Sequence, residues 1–337
     1  MSETESIQER ENINCAIKLL DPNGDRWQVS SKVLSLASPV FAALFQPHFR
    51  EGALIRTSAS PEVPLHGDDP IMLGVILEIL HYREPQGAIY LDPKELATLA
   101  IHCNKYDCTE ALRPWSTHWF IHLQKISTSE EYGFALLAAH LLRDERQFSG
   151  LSVKALATLT LNFPAQWEAT GTLSLLPTVI QDNLLVEIED ILTQLHGEVQ
   201  SVEGYLRTHQ TGYSTHGLVC MSCGRTLPAA AKKCHPCKNI ELHPKFCTSE
   251  NRVAEYFGAL RATSLWPSLE PFQKCSASVL ATRVANARSS LRHSCAAGKI
   301  CPLELGLEML ITSIQQILDG VEGLPLYPVH PCSACDE

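Results

Sequence analysis

The stretch Arg26-Trp27-Gln28-Val29-Ser30-Ser31-Lys32-Val33-Leu34-Ser35-Leu36-Ala37-Ser38-Pro39-Val40-Phe41-Ala42-Ala43-Leu44-Phe45 packs three elements into about twenty residues. Trp27 and Val29 alternate with Arg26 and Gln28, the period-2 pattern of a half-buried strand. Ser30 or Ser31 offers a hydroxyl to cap a following helix, whose apolar positions are Val33, Leu34 and Leu36. Ser38 offers a second cap, with Pro39 at the first helical position, where its missing N–H costs nothing. Val40, Phe41, Leu44 and Phe45 form the apolar stripe of that second helix.

Working outward, Ala16-Ile17-Lys18-Leu19-Leu20 reads as a strand joined to the first by Asp21-Pro22-Asn23-Gly24-Asp25, because Asn-Gly supplies the positive φ values of a tight hairpin. Phe49-Arg50-Glu51-Gly52 reads as the end of this unit. Glu62-Val63-Pro64-Leu65 predicts a short third strand, which Pro64 confines to an edge. Asp68-Asp69-Pro70 opens a helix carrying Ile71, Val75, Ile76, Ile79 and Leu80. Ile89-Tyr90-Leu91 predicts another extended piece. Asp92-Pro93 opens a helix with Leu96, Leu99 and Ala100, and a last helix covers about Thr109 to Trp119.

These segments, in this order, resemble the BTB/POZ domain, in a form found in filamentous fungi. The resemblance rests on Val29-Ser30-Ser31, the Leu-containing run to Ser38-Pro39-Val40-Phe41, Val63-Pro64-Leu65, Leu77-Glu78-Ile79-Leu80-His81-Tyr82, Leu96-Ala97-Thr98-Leu99-Ala100 and Lys105-Tyr106-Asp107-Cys108. Two positions depart from the pattern of many animal members: Ser30-Ser31 stand where a His opens the first helix, and Asn14-Cys15 where an Asp opens the first strand. The resemblance implies an α+β interaction module over residues 13–125. It would form a homodimer or recruit another protein, cullin-3 ubiquitin ligases being one partner class of the family.

Residues 1–12 are charged and aperiodic, which predicts a disordered tail. Residues 126–210 read as an all-α extension: a helix near Ser127–Leu142, one near Phe148–Leu159, and a long one from Ser174 to Leu206 striped with Leu184, Ile188, Ile191, Leu192 and Leu195. Residues 211–337 read as a Cys-rich helical domain, with helices near 251–262, 269–292 and 303–318.

The cysteines are unevenly placed. Of 13, only Cys15, Cys103 and Cys108 precede Cys220. The acidic N-terminus lacks the apolar core of a secretory signal, and no apolar run is long enough to span a membrane. Thiols in a reducing, intracellular setting, cytoplasmic or nuclear, are then expected rather than disulfides. Cys220-x-x-Cys223-Gly224 places two thiolates on one tight turn, where both can face a tetrahedral zinc ion. Cys234-x-x-Cys237 supplies a second pair after a ten-residue spacer. Alternatively Cys295 with Cys301, or Cys332 with Cys335, completes the site beside either pair, with His235, His293 and His330 as spare ligands. Incidental packed thiols are the plainer alternative, weakened by the paired spacings.

Charge is uneven too. The chain carries a net −10, but residues 1–210 balance at −12 and residues 211–337 at +2. The overall acidity argues against nucleic acid as the dominant partner. A nucleic-acid-binding regulator working through the basic, Cys-rich region is the alternative to a dimerising adaptor. No P-loop, G-x-G-x-x-G, H-E-x-x-H or G-x-S-x-G pattern is present, and no enzymatic role is expected.

Overall fold

The computed structural model describes residues 16–20, 26–58, 61–85, 90–123, 125–291 and 293–327. Among the described residues the fold is α+β and predominantly helical, with two three-stranded sheets. The described residues fall into two compact units, one drawn from the ranges 1–153, 165–181 and 323–337, the other from 154–164 and 182–322.

In the first unit, β1 (Ala16–Leu20) pairs antiparallel with β2 (Arg26–Ser30), Leu20 opposite Arg26. β3 (Glu62–Pro64) pairs parallel to β1, so the order is β2-β1-β3 and Pro64 sits on an edge as its missing donor requires. The expected turn at 21–25 lies outside the described residues. Helix α1 (Ser31–Ala37) is capped by Ser30, whose Oγ accepts from the Val33 amide. Helix α2 (Pro39–Leu44) is capped by Ser38, which accepts from the Phe41 amide at 3.0 Å. Leu34 and Phe41 are fully buried, and Phe41 stacks on Tyr106 with ring centroids 4.5 Å apart. Leu36, expected on the apolar face of α1, is instead 82% exposed, and Val40 is 39% exposed.

A further correction concerns residues 49–57. The chain does not end its unit at Gly52 but forms α3 (Arg50–Thr57). Gly52 lies against the preceding turn so closely that a Cβ would meet the Gln46 carbonyl oxygen at 1.9 Å. Close approach, rather than helix termination, explains this glycine.

Helix α4 (Pro70–Leu80) is capped by Asp69 and buries Met72, Leu73, Val75, Ile76, Leu77, Ile79 and Leu80, while Ile71 faces out. Tyr90 and Leu91 lie in no strand, and Ile89 is outside the described residues. Helix α5 (Pro93–Lys105) starts with a reciprocal capping box between Asp92 and Glu95. Helices α6 (Thr109–His122) and α7 (Ser129–Leu141) follow, and α5 packs along α7. Gly133 of α7 faces Trp167, whose indole N–H donates to the Ser129 carbonyl at 2.9 Å.

One polar cluster is built into this core. The Asp68 carboxylate is fully buried and accepts from the Tyr106 hydroxyl at 2.6 Å and from Lys105 at 2.7 Å. Nδ1 of His102 lies 3.2 Å from the same carboxylate, and its Nε2 accepts from the Asp69 amide. The last described residues return to this unit, where the Leu324 amide donates to Ser152.

The three helices expected in the region after residue 126 are α7, α8 (Glu145–Thr158) and α10 (Thr178–Thr208), the last starting at Thr178 rather than Ser174, and the short α9 (Phe163–Glu168) stands between α8 and α10. In the second unit the α10 stripe of Leu184, Ile188, Ile191, Leu192 and Leu195 is buried as expected. The region after residue 211 departs from the all-helical expectation. It holds a sheet of order β5-β4-β6: β4 (Tyr213–Cys220), β5 (Thr226–Pro228) and β6 (Leu242–Cys247), all antiparallel. Helix α11 (Ser249–Ala262) follows. The expected helix over 269–292 is two, α12 (Glu270–Lys274) and α13 (Ala277–Ser290), because Cys275 and Ser276 adopt extended backbone. Helix α14 (Pro302–Asp319) approaches α10 at Gly306, whose α-carbon faces Tyr205 and Val202.

Candidate metal centres

Every residue from 207 to 248 is at least partly exposed except Cys220, Cys234 and Cys247. A sheet of this size cannot hold itself together without an apolar face. Its buried contacts are cysteines, and these converge.

The first cluster is Cys220, Cys223, Cys234 and Cys237, with all four sulfurs within 4.8 Å of one another. Cys220 ends β4. The turn after it is closed by the Gly224 amide donating to the Cys220 carbonyl at 2.8 Å and by the Cys220 amide donating to the Arg225 carbonyl. Gly224 has φ +67°, the left-handed conformation that glycine adopts freely. The second turn repeats this plan: the Cys234 amide donates to the Asn239 carbonyl, and Lys238, four residues after Cys234, has φ +59°. Asn239 ties the two turns together, its side-chain amide donating to Ser222 Oγ at 2.6 Å and reaching the Cys220 sulfur at 3.8 Å.

Sulfur separations identify the kind of site. Cys220 and Cys237 are 3.3 Å apart, Cys223 and Cys234 3.5 Å, Cys223 and Cys237 3.6 Å. A disulfide needs about 2.05 Å. Four thiolates at about 2.3 Å from one ion stand about 3.8 Å apart. The cluster has the dimensions of a tetrahedral metal site, and the ten described cysteines are all free thiols. Burial pushes the Cys220 thiol up, but its hydrogen bond with Cys237 and those from the Cys223 and Ser222 amides outweigh this and bring it to about 6.

The second group is Cys247, His293, Cys295 and Cys301, whose ligand atoms also lie within 4.8 Å of one another. Cys295 and Cys301 therefore do not complete the first cluster, one of the expected alternatives. The backbone pairs Cys295 with Thr215, near the end of β4 remote from Cys220. Cys332, Cys335 and His330 lie outside the described residues. His235 is exposed and belongs to neither group. Cys247 and Asn239 escape sequence reasoning: Cys247 has no paired neighbour, and no ligand spacing marks Asn239, whose side-chain amide links the two turns. A Cys ending a strand, as Cys220 does, is the signal that could have found Cys247.

No protein-family model matches the chain, and no curated protein is found to be similar to it. Among the described residues, no helix is long and apolar enough to cross a membrane.

Proposed function

We propose that this protein is a non-enzymatic protein–protein interaction module, a dimerising adaptor or regulatory scaffold of BTB/POZ type, with structural zinc in its Cys-rich region. The observation that carries this reading is the arrangement β2-β1-β3 with β1 parallel to β3 and the paired helices α1 and α2 directly after β2. The same two helices leave Leu36 and Val40 in solvent although their neighbours Leu34 and Phe41 are fully buried. Such side chains fit a face that a second copy of the chain covers. Cullin-3 ubiquitin ligases are the partner class that the family resemblance adds, in a cytoplasmic or nuclear setting that keeps thiols reduced. Zinc suits the first cluster because four thiolates in a tetrahedron favour it and need no redox partner.

Sedimentation of the full chain across micromolar concentrations tests the adaptor reading. The expected result is a dimer that Leu36→Glu converts to monomer without loss of helicity. A monomer throughout that range would remove the homodimer.

A second reading has its own observation. Arg225, Lys232, Lys233 and Lys238 are all exposed around the first cluster, and no acidic residue lies between Cys220 and Ile240. A polyanion such as nucleic acid would be held there by its phosphates. Binding of a mixed-sequence oligonucleotide that weakens steeply with salt would favour it, and no binding at low salt would end it.

A further inference from the structure

We infer that Cys247, His293, Cys295 and Cys301 bind a second zinc-class ion, buried and separate from the first, with Glu255 as the carboxylate that positions the histidine. The Cys247 and Cys301 sulfurs are 3.7 Å apart, and the Cys301 sulfur is 3.3 Å from His293 Nε2. Three sulfurs and one imidazole nitrogen on a single ion require edges of about this length.

The surroundings are those of a ligand set. Nδ1 of His293 faces Glu255 Oε2 at 2.6 Å. A proton held there leaves the Nε2 lone pair aimed at the sulfurs, the tautomer a metal-binding histidine needs. Lys245 lies 3.3 Å from the other Glu255 oxygen and holds that carboxylate in turn.

Charge supplies a separate argument. Arg252 is fully buried and, among the described residues, meets no carboxylate. Its guanidinium donates to the carbonyls of His209, Thr211 and Cys247, and Nη1 lies 3.8 Å from the Cys247 sulfur. A buried cation without a counter-charge is costly. One dication with three thiolates and a neutral imidazole carries a net single negative charge, which balances it.

The rival reading is a cysteine nucleophile, since Cys301, His293 and Glu255 are placed as nucleophile, base and orienting acid. Burial argues against it. The Cys301 sulfur has no solvent-facing surface through which a substrate could approach, and two further thiols crowd the same imidazole.

The second site stands independently of the adaptor reading and of the first ion. The test is metal analysis of the full chain purified without chelator, with cobalt substitution to tell the sites apart. Two ions per chain are expected, one with the spectrum of four sulfurs and one of three sulfurs and a nitrogen. Cys247→Ser should remove the second spectrum and leave the first. Glu255→Gln, which keeps the volume of the side chain, should lower the second ion's affinity by about 10–100-fold, with Glu255→Asp restoring part of it and the first ion unmoved. One ion per chain whose content Cys247→Ser does not change, or ready alkylation of Cys301 in the metal-replete protein, would overturn the site. Unchanged affinity in Glu255→Gln would overturn the role of Glu255.

Discussion

Cys220 and Cys247 close opposite ends of one antiparallel strand pair: Cys220 faces Leu242 across the β4–β6 ladder, and Cys247 faces Tyr213. With a rise of about 3.3 Å per residue, the two clusters are some 20 Å apart and share no ligand. The strands between them bury no side chain of their own, so each end of the sheet is fastened by its cysteines.

Metal removal should therefore act locally. Chelation is expected to speed amide exchange across Tyr213–Cys247 while α4 and α5 keep their protection. Exchange mass spectrometry before and after chelation measures this. Equal loss of protection in α5, or none in β4 and β6, would contradict the assignment of the sheet's stability to metal.

Phe41→Ala should destabilise the first unit by roughly 2–5 kcal/mol, the usual cost of emptying a core aromatic site. Ile71→Ala, a truncation at a position 71% exposed, should cost less than about 0.5 kcal/mol. Denaturant unfolding followed at the helical signal compares the two, and similar midpoints would place Phe41 outside the core.

Gly52→Ala sets two effects against each other. Helix propensity favours alanine by about 1 kcal/mol. The added methyl would meet the Gln46 carbonyl well inside contact distance, and relieving such a clash costs about 1–3 kcal/mol or more. Net destabilisation is expected in a thermal melt, and a raised midpoint would show that the turn yields.

How much of this was legible in the sequence follows from how local each signal is. Ser38-Pro39 identifies α2 because cap and first turn are adjacent in the chain, and the two Cys-x-x-Cys turns identify the first cluster for the same reason. α3 was hidden because Phe49 provides no side-chain cap and Gly52 looks like a stop. The β4–β6 sheet was hidden because its strands lack a buried apolar alternation, and β6 even contains Pro244. Cys247 stands 54 positions from the Cys301 sulfur it meets, a pairing that only the folded chain makes visible.

Acid should weaken the first unit through His102. Burial lowers its pKa, against the pull of Asp68, below the ordinary value of about 6.5. The unfolded chain then takes up the proton first, so stability is complete above about pH 6.5 and falls as pH drops below it. Protonation at Nε2 would also displace the Asp69 amide. Thermal midpoints measured from pH 7.5 to 5.5 should decline, less steeply in His102→Gln. A parallel decline in both would assign the effect elsewhere.

Asp68 has an evolutionary corollary. Its buried carboxylate serves Tyr106, Lys105 and His102 at once. Losing it alone would strand the buried Tyr106 hydroxyl, while Lys105, partly exposed, would keep the His66 carbonyl, so removing the carboxylate by itself is not neutral. Positions 68, 102, 105 and 106 should drift together among descendants of this sequence, each constraining the alternatives open to the others. An aligned set of relatives would then show Asp68 exchanged only where Tyr106 has also lost its hydroxyl.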